Sequence, residues 1–228
     1  MDESDMDRRS VILTNDGSHT LISEKWGAGF HSKYGALQES KHVFLNAGLL
    51  PLLHYDALTV FEMGYGSGLN AYLTCIEAAQ KKVPIRYVSL EGYPLTQAEI
   101  SHLNYPELLV SSGQEDWWEN LQNAAWHEKT NVHEYFTIEK IAALLEDYAP
   151  PQAAFHLVYY DAFGPFSQPE MWSDTMLSKM YNCLLPGGKL VTYCAKSMVR
   201  RTLQGLGFSV EKLKGPPGKR EMLRATKG

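Results

Sequence analysis

Cysteine is scarce in this chain. Cys75, Cys183 and Cys194 are the only three in 228 residues, and no two form a Cys-x-x-Cys pair. That excludes a disulfide scaffold and a cysteine-rich zinc module. Eight His are present but scattered, with no metal-ligand spacing, so no metal site is expected. Long apolar runs are missing too; the stretch 49–53 is short and broken by Pro51, well below the length of a membrane span. The opening residues, Met1-Asp2-Glu3-Ser4-Asp5, are acidic and polar, unlike a secretory leader. Internal repeats, low-complexity tracts, linkers rich in Gly, Ser or Pro, a Gly-x-Ser-x-Gly nucleophile and a Walker loop are all absent. What is present is ordinary for a globular protein: 44% hydrophobic and 21% charged residues. The length suits one large domain, or one domain with a small appendage. A reduced, cytoplasmic protein is expected.

Charge is unevenly distributed. The formal net charge is -5, yet residues 189–228 carry ten Lys/Arg against two Glu, a balance of +8, and the remainder carries -13. A basic end on an acidic body can hold a polyanion locally despite the overall sign. The plainer alternative is a solubilising basic surface.

The hydrophobic pattern alternates between strand and helix periods. Residues 11–14 and 20–23 flank Asn15-Asp16-Gly17-Ser18, a hairpin signal, followed by an irregular stretch and a helix at 36–45. Strands are predicted at 59–63, 85–90, 132–136, 155–160, 189–194, 208–213 and 221–225. Helices are predicted at 69–80, 96–103, 115–124, 138–148, 170–184 and 197–206. Strands joined by crossover helices imply a mostly parallel sheet covered on both faces. The last two strands lack a helix between them, which implies an antiparallel hairpin at one edge. The expectation is an α/β protein of the class I methyltransferase layout, with a seven-stranded Rossmann-like sheet over residues 47–228. Residues 1–46 form an N-terminal segment of hairpin and helix packed on it. A nicotinamide dehydrogenase would continue helix then strand.

Three strand ends carry candidate chemistry. Glu62-Met63-Gly64-Tyr65-Gly66-Ser67-Gly68 places a glycine at every second position, where only glycine both turns tightly and lets a ligand approach the backbone. A dinucleotide fingerprint starting at Gly64 needs its third glycine at 69, which is Leu69. The pattern fits an S-adenosylmethionine site better. Glu91 closes the second strand, at the end where the crevice of an open α/β sheet lies, and can accept both hydroxyls of a ribose; the alternative is an acid capping a turn. Asp161-Ala162-Phe163-Gly164-Pro165 delivers a carboxylate to the same crevice. Amine methylation needs such a group, because the nitrogen must be held and aimed at the methyl carbon. The alternative is again a turn cap. Lys196, Arg200, Arg201, Lys212, Lys214, Lys219 and Arg220 form a basic set suited to phosphates.

Several stretches together resemble the methyltransferase part of the MnmC family, which modifies the wobble uridine of tRNA. They are Glu39-Ser40-Lys41-His42-Val43-Phe44-Leu45, the glycine loop through Asn70, Ser89-Leu90-Glu91-Gly92-Tyr93-Pro94-Leu95-Thr96, Asp161 to Pro165, Pro169-Glu170-Met171-Trp172, and Val199-Arg200-Arg201 through Lys219-Arg220-Glu221-Met222-Leu223. The resemblance implies transfer of a methyl from S-adenosyl-L-methionine to the aminomethyl nitrogen of 5-aminomethyl-2-thiouridine in the anticodon loop, with S-adenosyl-L-homocysteine as product. It implies that Glu62, Gly64, Gly66, Gly68, Asn70, Glu91 and Asp161 serve the cofactor. Asp161 would also lie at the methyl-transfer point, orienting the amine rather than acting mainly as its base. Arg200, Arg201, Lys219 and Arg220 would face tRNA phosphates. The family's flavin oxidase part has no counterpart before Gly228, so no FAD is expected and the substrate should be the free aminomethyl form. The family often has Gly-Asp near the adenine, where this chain has Glu134-Tyr135-Phe136; Tyr135 or Phe136 stacking on the ring is one expectation for that contact. Two other readings stay open: a class I methyltransferase acting on a small-molecule amine, and a cofactor-binding protein without catalysis.

Overall fold

The computed structural model describes residues 7–109, 114 and 116–228. Residues Met1 to Asp5, and Glu115 at the predicted start of a helix, lie outside the described residues. The chain opens with three short antiparallel strands, β1 (Arg9–Leu13), β2 (His19–Ser23) and β3 (Ala28–Gly29). The expected hairpin is there, with β3 added to it. A helical run follows: α1 (Ala36–Ser40), nine residues in wider π turns (Lys41–Leu49), and a 3-10 turn (Leu50–Leu52). The expected division between residues 46 and 47 falls within this run.

The remaining elements are β4 (Leu58–Met63), α2 (Leu69–Lys81), β5 (Ile85–Glu91), α3 (Gln97–Ile100), α4 (Tyr105–Leu109), α5 (Trp117–Asn123), β6 (Lys129–His133), β7 (Phe136–Ala142), β8 (Phe155–Tyr160), α6 (Asp174–Cys183), β9 (Leu184–Thr192), α7 (Ser197–Gly205), β10 (Phe208–Lys214) and β11 (Glu221–Lys227). Eight strands form the main sheet, in the order β10-β11-β9-β8-β4-β5-β7-β6. The five central strands run parallel, and β10–β11 make the expected antiparallel hairpin at one edge.

The sheet therefore has one strand more than the sequence pattern predicts, and the cause is local. Residues 138–148 show apolar residues at helical spacing, but Phe136–Ala142 is a strand, paired parallel to β5 and antiparallel to β6. Its inward positions follow period two: Phe136, Ile138 and Lys140 are buried. Ile138 and Ile141, neighbours on a helix, pack on opposite faces of the sheet. The pattern is disguised because one inward residue is a lysine. Lys140 lies between the rings of Tyr65 and Trp126 and donates to the carbonyls of Leu121 and Gln122 at 3.0 and 2.9 Å, supplying acceptors' partners at the end of α5. The predicted helix at 170–184 is also shorter. Pro169 opens a 3-10 turn, and the extended backbone at Ser173 caps α6 from its own start.

Two apolar clusters cover the two faces of the sheet. With both faces filled, the free surface of the parallel strands is at their ends. At the carboxyl end the tip of β4 is tied to both neighbours: the Gly64 amide donates to Leu90 at 2.9 Å, and the Asp161 amide donates to Met63 at 3.0 Å.

Candidate active site

These tip contacts bring Gly64, Gly66, Glu91 and Asp161 to the wall of one cavity. Gly64 has φ +96°, and a Cβ placed there would stand 2.8 Å from the Asp161 carbonyl oxygen. Only glycine lets the β4 and β8 tips lie so close. The Gly66 amide points at the second strand's acid: it donates to Glu91 Oε2 at 2.9 Å, while the Tyr93 amide donates to Glu91 Oε1 at 2.7 Å. A carboxylate offers about four acceptor positions, so Glu91 keeps capacity for hydroxyl donors in the cavity. Asp161 accepts from Asn70 Nδ2 at 2.9 Å through one oxygen; the other takes no hydrogen bond from the described residues. Burial, reinforced by the negative charge of Glu39, raises the Asp161 carboxyl to about 7, against the opposing pull of Asn70 and Lys219.

Other expected site residues stand behind this wall. Glu62 is buried and accepts from Ser89 Oγ at 2.7 Å. Burial, with the Asp161 charge adding to it, pushes its carboxyl up to about 8. Asn70, on the first turn of α2, reaches the site only through Asp161. Gly68 faces Gln122 and the Tyr65 hydroxyl, not the cavity. The basic residues separate. Lys219 lines the cavity, ion-paired to Glu39 and 3.8 Å from the Tyr193 ring centroid. Arg201 and Arg220 are exposed and Arg200 half-buried; none of the three lines the cavity.

The opposite wall comes from residues that local sequence patterns did not single out. Arg9, Trp26, Phe30 and His31 of the N-terminal segment all line the cavity. Trp26 stacks on Phe163 at 6.0 Å between centroids, Phe30 meets Phe163 edge-on at 5.3 Å, and Tyr93 meets Trp26 at 5.9 Å. His31 Nε2 lies 3.1 Å from Ser67 Oγ in the glycine loop, and burial lowers the imidazole to about 4. Glu39 is buried and accepts from the Ser32 amide at 2.7 Å as well as from Lys219. It thereby joins the N-terminal segment, α1 and the β10–β11 loop. The motif 39–45 contained this residue, but no period or spacing marks it as a site residue.

Tyr135 and Phe136 do not reach the cavity. They lie at the opposite end of the sheet, where the Ile85 amide opens β5 by donating to the Tyr135 carbonyl at 2.8 Å. The residues that follow the carboxyl end of β7 are Ala143, Leu144 and Leu145, and these do line it. The displacement has the same origin as the missed strand: reading 138–148 as a helix puts the strand end on the wrong side of the sheet.

Among the described residues no group of three His, Cys, Asp or Glu could hold a metal ion. The cavity does fit an adenosyl ligand. It has a glycine cradle, a strand-end acid with spare acceptor capacity, and an apolar strip at Ala143–Leu145 beside it.

A family model for S-adenosyl-L-methionine-dependent methyltransferases matches residues 109–228. The chain belongs to that family. It is a methyltransferase whose cofactor is S-adenosyl-L-methionine. Curated relatives extend the likeness over nearly the whole chain. The tRNA 5-methylaminomethyl-2-thiouridine biosynthesis bifunctional protein MnmC of Actinobacillus pleuropneumoniae is 29% identical over 92% of this chain and 34% of its own length. The protein of the same name from Aeromonas hydrophila is 30% identical over 90% of this chain and 33% of its own. The chain thus spans about a third of the length of these relatives. The crystal structure of MnmC2 from Aquifex aeolicus superposes with a TM-score of 0.79 at 22% identity, covering 97% of this chain and 71% of that one, so the fold is shared across the N-terminal segment as well as the sheet.

Proposed function

We propose that this methyltransferase acts on tRNA, methylating the aminomethyl nitrogen of wobble 5-aminomethyl-2-thiouridine. The observation that carries the reading is the shared cavity: Asp161 presents a free carboxylate oxygen to the space that Gly66 and Glu91 also face. The names of the relatives, which concern 5-methylaminomethyl-2-thiouridine in tRNA, point to the substrate. The basic end of the chain supplies charge for a polyanion. No helix among the described residues is long and apolar enough to cross a membrane.

In this reading Gly64 and Gly66 hold the methionyl part, Glu91 takes the ribose hydroxyls, and Ala143 to Leu145 flank the adenine. S-adenosyl-L-methionine supplies an electrophilic methyl group. Asp161 accepts an N–H of the amine and fixes the direction of its lone pair. Asn70 holds the Asp161 carboxylate in place. A primary alkylamine has a pKa of about 10, and neighbouring carboxylates favour its unreactive ammonium form. Lys219 counters this by neutralising Glu39, which removes one of the negative charges in the cavity that would hold the amine as ammonium.

The test is methyl transfer from labelled S-adenosyl-L-methionine to bulk tRNA from cells lacking this protein, compared with tRNA from normal cells, followed by nucleoside analysis. Label in 5-methylaminomethyl-2-thiouridine only with the deficient tRNA is expected. Turnover of a free amine without tRNA would transfer the reading to a small-molecule substrate. Cofactor binding without methyl transfer to either would remove the catalytic role.

A further inference from the structure

Phe166 is 90% exposed, the highest value among the large hydrophobic residues described. Isolated exposed apolar residues are common and need no function. This one differs in three respects. First, its backbone is held: the amides of Ser167 and Gln168 both donate to the Gly164 carbonyl at 2.9 Å, so the ring stands on a closed turn. Second, that turn is the rim of the cavity, since Gly164 and Gln168 line it and Asp161 lies five residues before the ring. Third, the ring carries a cation. Lys196 Nζ sits 3.5 Å from its centroid, and Lys196 immediately precedes α7, whose first turn brings Arg200.

We propose that Phe166 and Lys196 form a stacking platform for an unpaired nucleobase that neighbours the methylated nucleotide. The inference rests on the tRNA reading above and adds a binding subsite to it. An aromatic face beside a cation is what single-stranded nucleic acid requires: the base stacks on the ring, and the ammonium meets the adjoining phosphate. Lys196 covers one face of Phe166 and the high exposure leaves the rest of the ring open. A base bound there is held next to the cavity mouth, where an RNA strand must pass for a wobble nucleotide to reach Asp161. One helical turn along α7 from Lys196, the Arg200 amide donates to the Lys196 carbonyl at 3.0 Å, so a second cationic residue follows the first on the same helix.

The experiment measures binding of an anticodon stem-loop RNA, and of a control hairpin whose loop positions are base-paired by added complementary residues, across a salt series. Phe166→Ala should weaken stem-loop binding by about ten-fold or more, within the range expected for one stacked base, and leave the paired hairpin unaffected. Phe166→Trp should keep the affinity and Phe166→Leu should not, because leucine supplies apolar bulk without an aromatic face. Lys196→Ala should lower the slope of log affinity against log salt by about one, while Phe166→Ala leaves the slope unchanged. Thermal melting of each variant checks folding, and the exposed ring should not contribute to it. Equal stem-loop binding by wild type and Phe166→Ala overturns the platform while leaving the tRNA reading intact. If wild type neither binds the stem-loop nor methylates tRNA, that reading falls and the platform with it. If Phe166→Ala changes only self-association on a sizing column, the ring is a contact between copies of the chain, and the proposal is wrong.

Discussion

The two walls of the cavity are built from different materials. The sheet wall is mostly backbone: the Gly64 and Gly66 turns, the amides donating to Glu91, and the β8 tip hydrogen-bonded to the β4 tip. The opposite wall is mostly side chains from distant parts of the chain: Trp26, Phe30, His31 and the Glu39–Lys219 pair. Backbone dipoles fixed by a sheet lose little entropy when a ligand arrives, which suits a cofactor that must always be bound in one pose. Side chains held by aromatic contacts and one ion pair can be remodelled at lower cost, which suits the side where a large substrate enters. Damage to the sheet wall should therefore appear in chemistry, and damage to the other wall first in stability and access.

The largest effect is expected at the sheet wall. Asp161→Asn keeps the shape and the contact region of Asn70 but removes the charge and half of the acceptor capacity. Turnover should fall by about 100- to 1,000-fold, the usual loss when a positioned electrostatic group is removed, with cofactor affinity by calorimetry unchanged. Full turnover in this variant would show that the amine is aimed by another group. Next comes Lys219→Met. It strips the partner from Glu39, which is 4% exposed, and breaking a buried pair from one side costs about 3–5 kcal/mol. The partly exposed lysine places the expected loss at the lower end. Urea unfolding of Lys219→Met, Glu39→Gln and the double variant measures it: the double variant should be more stable than Lys219→Met alone. Simple additivity of the two single variants would mean that the pair does not bind the N-terminal segment to the β10–β11 loop.

The walls also differ in how far they could be read from sequence. Gly64, Gly66, Glu91 and Asp161 were visible because each sits at the end of an apolar strand, and strand ends in an alternating α/β pattern share one edge. The order of elements made the fold legible for the same reason. Side chains that meet only through tertiary docking leave no such trace. Glu39 and Lys219 are 180 residues apart, and nothing in the local spacing of either announces the other. The basic set illustrates the limit: Lys219 and Arg220 are adjacent in sequence, yet one lies in the cavity and the other in solvent. Lys140 hid the β7 strand, and with it the cavity-lining residues Ala143 and Leu144, because a buried lysine satisfied by two carbonyls breaks the apolar alternation that marks a strand.

A third effect distinguishes the walls by pH. Glu62, behind the sheet wall, has its carboxyl raised from the ordinary 4.5 to about 8 by burial, with Asp161 adding to the shift. The native state therefore keeps a proton that the unfolded chain releases, and native stability falls as pH rises from about 4.5 to about 8. Glu62→Gln carries no titrating group there, so it should remove the Glu62 part of this slope and leave the part from Asp161, whose carboxyl is raised to about 7. The difference in unfolding free energy between variant and wild type should then shift in favour of the variant by on the order of 3 kcal/mol between pH 5 and pH 8. An unchanged slope would mean that Glu62 ionises as freely in the native protein as in the unfolded chain.

The smallest effect has the opposite sign. His31, in the other wall, has its imidazole lowered from 6.5 to about 4 by burial. Here the unfolded chain takes up a proton that the native state refuses, so native stability falls as pH drops from about 6.5 to about 4. His31→Ala should flatten that acid limb by on the order of 2 kcal/mol. At neutral pH it should cost about 1 kcal/mol through the lost contact with Ser67. Because the two windows overlap only between about 4.5 and 6.5, a pH series of denaturation midpoints on the two variants separates the contributions. The Glu62 variant should diverge from wild type on the alkaline side and the His31 variant on the acid side. If both variants lost the same limb, His31 and Glu62 would titrate as one coupled network through the glycine loop, and the two walls could not be treated as independent supports of the site.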